Sequence, residues 1–239
     1  MAVDVMAIGA HPDDVELIAG GTVAKLVRKG RSVVIVDLTR GEMGSRGTAE
    51  TRAQEAREAA GVLGIADRVS LDMGDGLLAN TLENRVQVIE LMRRFRPTIV
   101  LTHHWHDLHP DHCAASHIVQ DSMYPVGMAK FPAQGRPYRP NEFLFFMGHF
   151  PFKPDIIVDV SEDFDKKLEA LGCYVSQLHK PGSTEPETNI SQPGFIAMIT
   201  AQARHYGAQI LKAYGEPFAV RRPVPVDDPV ALYQPFTKI

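Results

Sequence analysis

Short apolar runs separated by longer amphipathic stretches set the rhythm of this chain. The runs fall at residues 5–9, 32–38, 68–71, 98–102, 142–147 and 156–160. Runs this short with little polar alternation are typical of strands covered on both faces, so they predict a parallel sheet. Helical patterns lie between them. Residues 15–29 carry Leu17, Ile18, Val23, Leu26 and Val27 and stop at Gly30, a suitable C-terminal cap. Residues 50–63 are rich in Ala, Glu and Arg, with Thr48 or Thr51 at the start. Residues 82–95 place Val86, Ile89 and Met92 at three-residue steps, and Pro97 ends the pattern. Segments 109–128, 162–179 and 194–214 complete the set, the last closing at Gly215-Glu216-Pro217.

Alternating strands and helices predict one α/β domain over residues 1–239, Rossmann-like, with a mostly parallel sheet, helices on both faces and right-handed crossovers. Residues 131–141, rich in Pro, Gly and Arg, read as a surface loop, and 181–193 as a polar loop that serves as a lid or an oligomer contact. From about residue 217 the chain carries Pro223, Pro225, Pro229 and Pro235, which predict an irregular tail packed on its neighbours. No internal repeat is present.

Composition narrows the function classes. With 25 Lys and Arg against 29 Asp and Glu, net charge −4 and no basic run, the chain has no electrostatic footprint for nucleic acid or a membrane surface. Cys113 and Cys173 are too few for a disulfide framework, which fits a reducing cytoplasm. The opening ten residues are apolar but short, contain Asp4 and lack a basic start, so they read as a first strand and not a signal peptide. No stretch approaches the roughly 20 apolar residues that span a bilayer.

Two polar motifs carry candidate chemistry, and both follow predicted strands. In an open α/β sheet that is the ligand-binding edge. The first, Ala10-His11-Pro12-Asp13-Asp14, replaces the Gly-x-Gly-x-x-Gly that a dinucleotide site would need, and no P-loop occurs. His11 and Asp14 lie three apart across a tight turn; if both ligate a metal, Asp13 points elsewhere and stays free as a base. The alternative is that Asp13 and Asp14 merely cap the helix. The second, His109-Pro110-Asp111-His112, puts two imidazoles three apart on one helix face. One of them could hold the metal while the other faces substrate, and Asp111 could orient an imidazole through its second nitrogen. His103, His104 and His106 read as ordinary satisfied polar residues, and Cys113 as a small buried side chain. Three such ligands and an open position suit a metallohydrolase. Arg46 and Arg52, after the second strand, and Arg139, in a later loop, could grip an anionic substrate by two-pronged pairing with carboxylate. The alternative is a salt bridge with Glu42 or Glu55, or a solvated helix face.

These motifs resemble the LmbE-like, PIG-L-type zinc deacetylases. The likeness extends through Asp37-Leu38-Thr39-Arg40-Gly41-Glu42, Gly44-Ser45-Arg46-Gly47-Thr48, Arg52, Glu55-Ala56, Tyr138-Arg139-Pro140, Tyr206-Gly207 and Tyr214-Gly215-Glu216-Pro217-Phe218. It is greatest for the bacillithiol-pathway branch, which deacetylates N-acetylglucosaminyl malate. Asp107 stands where mycothiol-type relatives carry Tyr, and Leu108 where bacillithiol-type relatives often carry Arg. The resemblance implies Zn2+, or another divalent metal such as Fe2+, on His11, Asp14 and His112. It implies Asp13 as general base and His109, paired with Asp111, as an imidazolium facing the oxyanion. Arg52, Arg139 and Arg46 would bind an anionic amino-sugar conjugate, and the protein would be a homo-oligomer such as a hexamer. Two other readings remain open at this point: an amidase of another N-acyl sugar or thiol conjugate, and a metal-bound sugar-binding protein without turnover.

Overall fold

The computed structural model describes residues 2–232. Seven strands form one sheet: β1 (Val5–Gly9), β2 (Val33–Asp37), β3 (Asp67–Ser70), β4 (Ile99–His103), β5 (Glu142–Phe146), β6 (Ile156–Asp159) and β7 (Gly215–Ala219). Their order is β3-β2-β1-β4-β5-β7-β6. β1 to β5 run parallel, while β7 is antiparallel to both of its neighbours. The predicted mostly parallel α/β architecture is the observed one.

The helices are α1 (Asp14–Arg28), α2 (Ala49–Leu63), α3 (Leu82–Phe95), α4 (Pro110–Ser122), α5 (Phe164–Gly172), α6 (Phe195–Gln209) and the short α7 (Pro229–Leu232), with a 3-10 turn at Pro125–Gly127. Their starts and stops follow local chemistry. The Thr48 hydroxyl accepts from Thr51 N–H and the Thr81 hydroxyl from Asn84 N–H, capping α2 and α3. Gly64, at φ 69°, closes α2 in the left-handed region.

One face of the sheet packs Val15, Ala19 and Val23 of α1, Ala56 and Ala59 of α2 and Ala170 of α5 against Val5, Ala7, Val33 and Ile35. The other packs Val88, Ile89 and Met92 of α3 and Ala115, Ile118 and Val119 of α4 against Met6, Ile8, Val34 and Val36. Alternate strand residues therefore feed opposite cores, which is why the runs read as uniformly apolar.

Four segments depart from expectation. Helix 109–128 stops at Ser122, and the 3-10 turn Pro125–Gly127 follows it, with proline at its first position. Helix 162–179 stops at Gly172, because the chain turns there to drive Tyr174 into the core, where its hydroxyl donates to Glu16. Helix 194–214 stops at Gln209, where Lys212 N–H returns to Gly207 O and any side chain at 207 would collide with Tyr214. The tail is not irregular from residue 217: Gly215–Ala219 is a buried strand. Pro217 is compatible with it because β5 pairs only with Phe218 and Ala219, so no β5 ladder bond is lost at the proline. Beyond Ala219 the chain is irregular up to α7, and Pro235 lies outside the described residues.

β7 also fixes α1. Glu216, 2% exposed, accepts from Lys167 Nζ at 2.6 Å and from the backbone N–H groups of Gly21 and Thr22. A side chain at residue 21 would strike Val160, so the carboxylate enters the helix at a glycine. Glu216→Ala should lower the unfolding free energy by about 3–5 kcal/mol, because it strands a buried ammonium and two amide donors. Urea unfolding checks this, and a loss below about 1 kcal/mol contradicts it.

Candidate metal and acid–base site

β1 lies between β2 and β4, the point where successive crossovers diverge, and ligand crevices open there. Both motifs reach it. His11, Pro12 and Asp13 form the turn from β1 into α1, and His109 caps α4 with its ring Nδ1 accepting from Asp111 N–H at 3.2 Å.

His11, Asp14 and His112 converge, all buried, with one ligand atom from each within 4.8 Å of the others. His11 Nδ1 lies 3.3 Å from Asp14 Oδ2, and His112 Nε2 lies 3.2 Å from Asp14 Oδ1. The far nitrogen of each ring rests on a carboxylate. His11 Nε2 contacts Asp75 at 3.1 Å and Asp111 at 3.2 Å, and His112 Nδ1 contacts Asp107 at 3.1 Å. A carboxylate that accepts the outer N–H leaves the inner nitrogen with its lone pair. Two lone pairs then face the Asp14 carboxylate, a donor set that a divalent cation fits. Without a cation the same geometry draws protons. Burial alone would lower both imidazoles, but Asp14 raises His11 well above its ordinary value, and Asp14 with Asp107 carries His112 up to about 9.

Asp13 stands beside this set. It sits at the N-terminus of α1 with φ 109°, yet its side chain makes no capping hydrogen bond. Non-glycine residues rarely adopt such φ, at a cost of about 1–3 kcal/mol. The merely capping alternative therefore fails for Asp13, and Asp14 is turned back onto His11 N–H at 2.7 Å. Burial pushes the Asp13 carboxyl up to about 7, and Arg52 opposes it.

The arginines are committed to protein partners. Arg52, 5% exposed, donates to Pro12 O and to Asp13 Oδ2 at 3.0 Å. Arg46 donates to Ser176 O and pairs with Glu185 at 3.1 Å, not with Glu42 or Glu55. Arg139 is exposed, its guanidinium over the Tyr124 ring. It precedes β5, and its neighbour Tyr138 donates to Pro97 O ahead of β4. Arg139 thus belongs to the amino edge of the sheet, opposite the motifs.

The expected pairing of Asp111 with His109 is not the one observed. The Asp111 carboxylate takes Gly76 N–H at 2.7 Å and faces His11, while His109 receives only the Asp111 backbone N–H. Burial, then the neighbouring His11, lowers His109. Because its Nδ1 accepts the Asp111 N–H, the ring hydrogen is assigned to Nε2. His104 and His106 behave as ordinary residues: His104 stacks on Trp105 and Phe152, and His106 packs at a tilt against Phe150. His103 does not. It is fully buried, with Nε2 3.1 Å from Asp14 Oδ2, and it stacks on His112. Asp75, Asp107, His103 and His149 are the residues that sequence reasoning missed. Asp75 had a signal: it lies between Gly74 and Gly76, both at positive φ, just after β3.

Comparison with known proteins gives the family of the chain. The profile of the family described as PIG-L, GlcNAc-PI de-N-acetylase, matches residues 6–123. The diacetylchitobiose deacetylase of Thermococcus kodakarensis is 32% identical over 188 residues, spanning 72% of this chain and 69% of that one. The chain belongs to the PIG-L family. A 4-oxalmesaconate hydratase of Pseudomonas putida is 28% identical over 73% of this chain and 74% of its own length. The conserved protein TT1542 of Thermus thermophilus superposes with a TM-score of 0.86 at 36% identity, covering 94% of this chain and 97% of that one.

Replacing Arg52 by Met removes the cation that stabilises ionised Asp13. In the metal-free protein the Asp13 midpoint should therefore move upward from about 7. Carbon-13 NMR of the labelled carboxyl reads it, and an unchanged or lower midpoint contradicts the pairing.

Proposed function

We propose that this PIG-L family member is a metal-dependent hydrolase that removes the acetyl group from an N-acetylated amino sugar. The observation that carries this reading is Asp13, a buried carboxyl held on strained backbone beside a complete ligand set but outside it. A binding protein has no use for such a group. His11, Asp14 and His112 would hold the cation, zinc or another borderline metal such as iron(II). A metal there supplies Lewis acidity toward the acyl carbonyl and the attacking water.

The chain's own groups do the rest. Asp13 takes a proton from the water as its oxygen bonds to the acyl carbon, with Arg52 and the strained turn holding the carboxylate in place. His109, neutral, donates its Nε2–H to the developing oxyanion. When the carbon–nitrogen bond breaks, the proton on Asp13 passes to the departing amine, giving acetate and a free amino sugar.

The family resemblance names a malate-bearing glucosaminyl conjugate as the finer substrate. The charge layout favours a neutral sugar instead, because Arg52, Arg46 and Arg139 are all engaged away from a substrate carboxylate. A second reading, hydration of an unsaturated acid, has the Pseudomonas relative behind it, and it too would need a cation to grip carboxylate.

Acetate release from N-acetylglucosamine or its dimer should disappear on chelation and return with zinc. Asp13→Asn should keep its metal and lose about 10²–10⁴ in turnover. Retained turnover with full metal occupancy removes Asp13 as the base. Hydration of an unsaturated dicarboxylate without any acetate release establishes the second reading. Asp107→Ala should weaken metal binding by about 10–100-fold, read by competition with a chelator.

A further inference from the structure

Asp107 serves two imidazoles. Its Oδ1 takes His112 Nδ1 at 3.1 Å and His149 Nδ1 at 2.7 Å, together with His109 N–H at 2.9 Å. Its Oδ2 takes the backbone N–H of His149 at 2.8 Å. The Asp107 side chain is 1% exposed, whereas that of His149 is 39% exposed. His149 follows β5, at the same carboxyl edge as the ligand cluster, and its ring stacks over His112 with centroids 5.5 Å apart.

The placement is built. A side chain at residue 148 would come within 2.0 Å of Asp107 Oδ2, so only glycine lets the chain lay His149 on that carboxylate. Both rings donate from Nδ1 to one oxygen, so both turn Nε2 away from it. For His112 that nitrogen faces Asp14. The His149 side chain is more than a third exposed, and no described residue hydrogen-bonds its Nε2. An imidazole pinned through one nitrogen by a dry carboxylate presents the other in a fixed direction with its lone pair free. Ordinary surface histidines lack that restraint.

We propose that His149 is a substrate-contacting residue, pre-oriented by Asp107, whose Nε2 accepts a hydrogen bond from a hydroxyl of the amino sugar. The assignment rests on the proposed deacetylase reading. It makes Asp107 the one carboxylate that aligns a metal ligand and a sugar contact together. It also gives the site a polar contact suited to an uncharged polyol, where the arginines offer none.

Asparagine and glutamine separate the two nitrogens. His149→Asn keeps an N–H near the position of Nδ1, so it can still donate to Asp107, and it loses the outer nitrogen. His149→Gln reaches the position of Nε2. With N-acetylglucosamine as probe, His149→Asn should raise KM about tenfold, the worth of one hydrogen bond, with kcat and metal affinity unchanged. His149→Gln should recover most of that loss. In Asp13→Asn protein, saturation with the sugar should shift the nitrogen-15 signal of His149 Nε2 and leave that of Nδ1 in place. This readout needs no change at residue 149. Parent-like KM in His149→Asn, an unmoved Nε2 signal, or a metal affinity that falls with KM overturns the assignment and leaves the deacetylase reading standing. A parent protein that neither binds nor turns over the sugar overturns both.

Discussion

Three imidazoles, those of His11, His103 and His112, face one buried carboxylate in this protein, and His11 and His112 are each held there by another carboxylate behind it. Asp75 and Asp111 hold His11, Asp107 holds His112, and both rings aim at Asp14. Acceptor atoms gathered in a dry crevice repel one another unless a cation lies among them. The protonated imidazoles of the metal-free state meet that need in one way and a divalent metal in another. Whichever cation is present, the carboxylates behind the rings set the direction of the lone pairs, so the site is pre-formed before anything binds.

Precision at this point depends on where α1 begins. His11 and Asp14 leave a short turn at the end of β1, and a shift of α1 along its axis would carry Asp14 away from His112. The structure ties the helix down far from the site. Glu216 of β7 reaches into its middle, with Lys167 of α5 neutralising the charge. Glu16, one turn in, is locked by Arg68 and Tyr174, and Arg68 is bound to Asp37 at the end of β2. Buried ion networks of this kind contribute little net stability compared with apolar packing. Their effect here is registry: they set the helix against the sheet, and the sheet sets the His11, Asp14 and His112 cluster.

Much of this was legible in the sequence because two-sided burial makes parallel strands read as unbroken apolar runs. β1, β2, β4 and β5 were recognisable on that ground, and β3 and β6, which lie at the sheet edges and are less buried, were found from shorter runs. β7 was not, since Gly-Glu-Pro-Phe-Ala carries three residues that disfavour a central strand; it is a strand because Glu216 has a buried ammonium and two helix amides to meet. The ends of α5 and α6 were illegible for the same kind of reason, a tertiary contact overriding local propensity. In the site, His11, Asp13, Asp14, His109 and His112 announced themselves through spacing. The carboxylates behind them did not, because Asp75 and Asp107 come from loops whose approach only the fold determines. His103 gave a fainter signal: strand alternation places it on the same face as Leu101, at the end of β4 where the ligands gather.

The arginines show how a correct position can carry a different role. A guanidinium beside a hydrolytic site reads naturally as an anion clamp, and Arg52 is indeed beside the site. Its fork, however, is spent on Pro12 O, Gly41 O and Asp13, all within the protein. A side chain at Gly41 would sit 2.2 Å from one arm of that guanidinium, so the β2 loop is shaped around it. A cation so enclosed cannot turn outward without abandoning Asp13 to the burial that already raises its pKa. Arg52 therefore acts on Asp13, opposing the burial that raises its carboxyl. On the proposed deacetylase reading, Arg46, Arg52 and Arg139 leave no free guanidinium for a substrate carboxylate, and this is the physical ground for expecting a neutral sugar in preference to an anionic one.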